Sequence, residues 1–334
     1  MNFMEKLVTR AYNRFEIDET RGVIKKISST QRLADEINYY VRLDASHPQQ
    51  AVYFPRILAS SDYNANEHWM DLEMYNYPNL GKYLLAEEII SGWGVVFDKL
   101  KDILTSWSET HPYSSWTKEE IRQAAYDMYI TKTEREQKAF YDGWKDKIDC
   151  IFLDQIRNHI IYINKKEYKP FEIIWIQVKK YIEENMLDFT PSLIHGDCCF
   201  SNILYGKDKN IIRFIDPRGS FGKEGIYGDI RYDVAKLYHS VDGTYESFIT
   251  DKFEVSSHGN LHDIALNGHM SKVEISHALV AFENTFFPQF DKKQIKILQG
   301  CIFIGMCARH YDSLPRQHAM YLTGIRLLNE AMDL

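Results

Sequence analysis

The sequence predicts an α+β chain of two unequal lobes. Residues 1–77 form a short β-rich N-terminal lobe and residues 78–334 a large helical one. The N-terminal part carries short runs of β-branched and aromatic residues parted by turn residues. Beyond Pro78, apolar residues recur at helical spacing almost to the end of the chain. One segment, 193–219, breaks that pattern with a loop, a short strand and a terminal acid.

In chain order, "RFEID" and "GVIKKI" read as strands joined by "ETR" and a glycine, a hairpin. "TQRLADEINYYVRLD" then has helical spacing, with Leu33, Ile37, Tyr40 and Val41 on one face. "AVYFPRILAS" and "HWMDLEMYNYP" read as two further strands. Pro78 ends this part, and "NLGKYLLAEEII" opens the helical region. Helices are predicted over 93–108, 117–146 (Gly143 being the candidate break), 148–163 and 171–187. After the interruption they resume at 229–240, 270–284, 292–309 and 315–332. A cleft between the lobes is the default place for a ligand.

Composition narrows the classes of function. Of the 334 residues 45% are hydrophobic and 26% charged, as in a soluble globular protein. A net charge of −7 gives no support for nucleic-acid binding. The 22 Tyr and 18 Phe are spread along the chain, which suits packing and pocket walls. The five cysteines form no CxxC pair, which argues against a zinc knuckle or disulfide framework and for a reducing cytoplasm. The N-terminus lacks the apolar core of a signal peptide, and no run reaches the length of a membrane span.

The chemistry concentrates in "LIHGDCCFSNILYGKDKNIIRFIDPRG". Asp197 and Asn202 lie five residues apart, so one loop can present both to a cleft. The strand-like "IIRFI" would deliver Asp216 to the same place, with Pro217 ending the strand. Asn202 and Asp216 offer the hard oxygens that magnesium prefers. These are the parts that phosphoryl transfer needs.

"HGDCCFSN" followed by "FIDP" resembles the catalytic signature of the aminoglycoside phosphotransferase and choline kinase-like family, which has the protein-kinase-like fold. "YGDIRYDVAKLYHSVDG" is similar to the segment that follows the family's metal-binding Asp. The resemblance implies an ATP- and magnesium-dependent kinase, GTP remaining open as the donor. Its acceptor would be a hydroxyl of a small metabolite: a sugar, a sugar derivative or an amino alcohol such as choline. It makes Asp197 the catalytic Asp, Asn202 and Asp216 the metal ligands, and His195 a brace for the loop. Asp233 would buttress that loop, and Asp229 would do the same or cap its helix. "FIDPRGSFG" with "GDIRYDVAKLYHS" is further similar to phosphotransferase-like proteins of bacterial capsule and surface-polysaccharide synthesis.

On the nucleotide side the resemblance asks for a strand lysine held by a helix glutamate. Lys25 and Lys26 are the candidates, with Glu36 as partner. Alternation lets only one lysine face the cleft, and Lys25 is favoured because it shares its face with Val23. Met74, Tyr75 and Asn76 occupy the connection between lobes, where backbone groups could hold adenine. The pattern fails upstream. There is no GxGxxG, and Gly22 is the sole glycine before Lys25, so the nucleotide lobe reads as truncated. Arg10 or Arg14 could help hold phosphate there. This departure motivates the alternative of a non-catalytic kinase-like nucleotide-binding protein, which the intact Asp197, Asn202 and Asp216 set opposes. Arg218 could neutralise an acceptor phosphate or pair with an acid, the structural ion pair being the favoured expectation, and Cys198, Cys199, Cys301, Cys307 and His310 are expected in packing.

Overall fold

The computed structural model describes residues 13–145, 147 and 150–334. Strands β1 (Asn13–Asp18) and β2 (Val23–Ser28) form the expected hairpin. Its turn is closed by the Arg21 N–H donating to Asp18 Oδ1 and by Gly22 at a φ of +63°. Helix α1 (Gln31–Ser46) buries Leu33, Glu36, Ile37, Tyr39, Tyr40 and Leu43. Its buried stripe lies towards Glu36, Tyr40 and Leu43, so Val41, expected inside, sits at the edge and is half exposed. A single turn, α2 (Pro48–Ala51), comes next.

The run "AVYFPRILAS" departs from the single strand expected of it, since only β3 (Ile57–Ser60) pairs. Pro55 withholds a ladder donor, and Phe54 turns inward instead of alternating. β4 (His68–Glu73) completes an antiparallel sheet of order β1-β2-β4-β3.

The helical part begins with α3 (Leu80–Leu84), capped by Asn79 Oδ1 accepting the Lys82 N–H at 3.1 Å. α4 (Trp93–Ser108) follows, then α5 (Lys118–Tyr126), which opens on a Thr117/Glu120 capping box. A π-helical turn over Asp127–Thr131 leads directly into α6 (Lys132–Trp144). The break in this long helix is therefore at that turn, and α6 runs through Gly143.

The predicted helix 148–163 ends early, as α7 (Cys150–Asn158). Residues Ile161–Ile163 are strand β5, paired with β6 (Lys166–Tyr168). α8 (Phe171–Asn185) and the short strand β7 (Ser192–Leu193) lead into the loop that carries Asp197. Hairpin β8 (Ile203–Gly206) and β9 (Ile211–Phe214) follows. Three two-residue strands come next: β10 (Ser220–Phe221), β11 (Lys223–Glu224) and β12 (Tyr227–Gly228). α9 (Ile230–Val241) and α10 (Tyr245–Ile249) precede a hairpin of β13 (Phe253–His258) and β14 (Leu261–Leu266). That hairpin joins β5 and β6 in a second four-stranded sheet, which sequence periodicity did not predict. α11 (His269–Phe286), α12 (Lys292–Cys307) and α13 (Leu314–Met332) complete the chain. No described helix is long and apolar enough to cross a membrane.

An aromatic stack supports the floor of the site. Phe54 lies with its ring near parallel to those of Trp107 and His195, at 5.7 and 6.0 Å between centroids. Phe214 closes the group against Trp107 and His195.

Candidate active site

The β8–β9 hairpin brings Asn202 and Asp216 together. Asn202 immediately precedes β8, and Asp216 follows β9 by two residues. In an antiparallel pair these positions fall at one end, and the Ile215 N–H donating to the Asn202 carbonyl at 3.0 Å extends the ladder to them. Asp216 has a φ of +60°, a left-handed conformation that Asp tolerates better than most residues. Asn202 donates its amide to the Asp197 carbonyl at 2.9 Å, and among the described residues no donor is bonded to its Oδ1, an oxygen acceptor.

Lys26, not Lys25, faces this end. Its Nζ lies 2.6 Å from Glu36 Oε2 and 2.6 Å from Asp216 Oδ1, and the side chain is buried. Lys25 points to the other face of the sheet, over the Trp69 ring and 3.9 Å from Asp71. The expectation that Lys25 would share the cleft face with Val23 fails because α1 covers the face that holds Lys26. Burial penalises the Lys26 ammonium, but Asp216 and Glu36 outweigh it and raise its pKa to about 12. Burial pushes Glu36 up to about 8 even beside Lys26, with the Asp216 charge adding to the rise. Desolvation also opposes ionisation of Asp216, yet Lys26 and Arg32 hold it below the usual carboxylate range.

Asp197 is gripped from two sides. Arg32 reaches its Oδ2 at 3.3 Å and lies 4.0 Å from Asp216 Oδ2. Lys236, a buried lysine of α9, meets Oδ1 at 2.8 Å. Burial works against the Lys236 charge, and Asp197 overcomes it, so its pKa rises above the ordinary lysine value.

Beneath Asp197 the loop is fixed by its own backbone. The Asp233 carboxylate accepts the N–H groups of His195 and Gly196 at 2.6 and 2.8 Å. Burial raises Asp233 to about 7 against these two donors. His195 spans the loop through both ring nitrogens. Its Nε2 donates to the Ile215 carbonyl at 2.9 Å, and its Nδ1 accepts the Asp197 N–H at 3.1 Å. Burial lowers its pKa to about 4, the neutral form that this pattern demands. Asp229 caps α9 through the Arg231 N–H and accepts the Tyr129 hydroxyl at 2.6 Å. Tyr39 of α1 donates its hydroxyl to the Ile194 carbonyl at 2.9 Å, tying the glutamate helix to the same loop.

Other expected residues fall as follows. Met74, Tyr75 and Asn76 do connect β4 to α3. The Met74 N–H donates to the Gly22 carbonyl at 2.8 Å, and Tyr75 bonds Glu73 and stacks on Tyr77. Arg14 is exposed beside Glu16, and Arg10 lies outside the described residues. Cys198 and Cys199 are buried, and burial raises both thiols, so neither is a poised nucleophile. Cys301 and Cys307 are likewise buried. Arg218 corrects an expectation: among the described residues no carboxylate pairs with it.

Sequence reasoning missed Arg32, Lys236 and Lys132. Arg32 stands one turn before Glu36 on α1, and Lys236 three residues after Asp233 on α9. The i,i+4 and i,i+3 spacing was the available signal.

The chain aligns with the solved structure of aminoglycoside phosphotransferase APH(4)-Ia at a TM-score of 0.57 and 12% identity, over 96% of this chain and 91% of that one. A thermostable mutant of that enzyme, in its apo form, aligns at 0.56 and 13% identity over 97% and 93%. A thermostable mutant in ternary complex with AMP-PNP and hygromycin B aligns at 0.56 and 12% over 96% and 91%. No family model and no curated protein matches the chain. At such identities the likeness establishes the fold: a β-sheet N-terminal region and a helical C-terminal part in the arrangement of the aminoglycoside phosphotransferases.

Proposed function

We propose that this chain is an ATP- and magnesium-dependent phosphotransferase that moves the γ-phosphoryl group to a hydroxyl of a small metabolite. The observation that carries the reading is Lys26 bridging Glu36 and Asp216, with Asp197 and Asn202 on the same loop. The shared fold supports it, since a structure of that fold holds AMP-PNP together with hygromycin B. Residues 1–77 then form the nucleotide lobe, with Met74 to Asn76 beside the base, and residues 78–334 the lobe that receives the acceptor.

Asn202 Oδ1 and the Asp216 carboxylate fit magnesium, which keeps few protein ligands and takes the rest from phosphate and water. Bound there, the ion supplies neutralisation of charge on the phosphate oxygens. Lys26 turns from Asp216 to the donor phosphates while Glu36 holds its other side. Asp197 orients the acceptor hydroxyl and takes its proton. The acceptor oxygen bonds to the γ-phosphorus as the β,γ-bridging bond breaks, and ADP leaves with that electron pair. Lys236 keeps Asp197 ionised and fixed in direction, and Arg32 is placed to meet the transferring group. The acceptor class we favour is a sugar or sugar-linked alcohol of surface-polysaccharide synthesis, made in the cytoplasm where ATP is at hand.

Calorimetric titration with ATP and magnesium, followed by transfer to a pooled set of hydroxylated metabolites, tests the reading. Binding of nucleotide with transfer supports it. Nucleotide binding without transfer to any acceptor favours the non-catalytic alternative, and absence of nucleotide binding sinks both.

A further inference from the structure

The acceptor side of Asp197 is crowded with cations, and among the described residues two of them, Lys132 and Arg218, have no carboxylate partner. Lys236 meets Asp197 Oδ1 at 2.8 Å. Tyr232 lies one turn earlier on the same face of α9, and Lys132 Nζ reaches its hydroxyl at 3.1 Å. Lys132 is the first residue of α6, just after the π-helical turn. Within that turn Tyr129 is bonded to Asp229, the cap of α9, which fixes the direction in which Lys132 emerges. Arg218 approaches from the other side. A Cβ on Gly196 would fall 2.8 Å from Arg218 Cβ and 3.4 Å from its Cδ, so the side chain runs over the residue before Asp197. Arg309 stands beside Glu136, one turn beyond Lys132 on α6.

The carboxylates here are few. Asp197 is already shared by Arg32 and Lys236, and Glu136 by Arg135 and Arg309. Among the described residues no carboxylate pairs with Lys132 or Arg218. Burial, and then the charges of Arg218, Arg309 and Lys236, drive the Lys132 pKa well down, as expected of a cation packed among cations. Like charges held together without counter-ions are costly in a folded chain, and a ligand that supplies the missing charge relieves them. Amino alcohols and amino sugars carry the wrong sign for this surface.

Building on the phosphotransferase reading, we propose that the acceptor is anionic: a hydroxylated molecule bearing a phosphate or carboxylate group, gripped by Arg218 and Lys132 beside Asp197. Guanidinium and ammonium groups suit both anions, and Arg218 can offer two parallel donors.

The test uses the full chain with ATP and magnesium. Phosphoryl transfer is followed to a matched panel: a neutral hexose, its 1-phosphate and 6-phosphate, its uronic acid, the amino sugar, choline and an aminoglycoside. An anionic member is expected to be used with a kcat/KM about tenfold or more above its neutral parent. R218Q and K132Q are each expected to raise the KM for that acceptor by a similar factor, with the nucleotide KM moving far less. R218K should recover part of the loss at Arg218. The phosphate and uronate arms tell the two anion sources apart. Equal or better use of the neutral or cationic members overturns the proposal. So does a loss in the variants that falls on the nucleotide KM. If no panel member is phosphorylated, calorimetry with the same anions, on nucleotide-free and nucleotide-loaded protein, decides. Binding of a sugar phosphate or uronate that R218Q abolishes upholds the proposal, and absence of such binding overturns it. Loss of nucleotide binding alone refutes the phosphotransferase reading and leaves the anion result standing separately.

Discussion

Asp197 touches cations on both oxygens, so its removal and its neutralisation are different experiments. On the phosphotransferase reading, D197N keeps the shape and loses the proton acceptor. Transfer is expected to fall by roughly 10²–10⁴-fold while nucleotide binding survives, measured by initial rates and calorimetry. Retained activity would refute its role. Lys236 was signalled in the sequence only by its i,i+3 spacing from Asp233, and K236M tests it by stability. Breaking a buried pair from one side costs about 3–5 kcal/mol, and a double-mutant cycle with D197N should recover part of that, read from urea denaturation. His195 gives the pH prediction. Its folded pKa of about 4 lies below the usual 6.5, so its contribution is complete above pH 6.5 and is lost as pH falls from there towards 4. The stability gap between wild type and H195Q should therefore narrow by about 1.4 kcal/mol per pH unit across that window. A pH-independent gap would show that the ring is not held neutral.

At the scale of elements, α1 and the loop that carries Asp197 are bonded to each other. Y39F removes the bond from α1 to the Ile194 carbonyl and leaves that acceptor unpaired, at a cost of about 1–2 kcal/mol. F54A removes the ring that packs on Trp107 and His195 and should cost about 3–5 kcal/mol. Equal stability of F54A and wild type in denaturant titration would refute the stack as a support. The sequence made Asp197, Asn202 and Asp216 readable because they sit within one local loop and hairpin. It could not choose between Lys25 and Lys26, since alternation says that one faces inward but not which face α1 will cover. The capping box at Thr117 and the break at Pro78 were local signals, while the π-helical turn and the β5–β6 extension were not. β5 has three residues and pairs in parallel with β14, about a hundred positions away, a contact with no local pattern to announce it.

For the whole molecule, the N-terminal sheet and the helical part are joined through the site itself: Lys26 to Asp216, Arg32 to Asp197, Tyr39 to Ile194. Ligand binding there should stabilise the chain as a unit. Saturating ATP with magnesium at a hundred times its dissociation constant should add about 2.7 kcal/mol to stability, and chelation of the metal should remove most of that gain. Scanning calorimetry checks both, and a transition confined to one half would contradict the coupling. The Tyr39 tether has one more consequence. It holds α1 against the loop while Lys26 and Glu36 are already paired, so the helix and the loop keep one orientation to each other. Under the phosphotransferase reading, the lysine–glutamate pair is set before the donor arrives, so nucleotide binding has no helix to reposition.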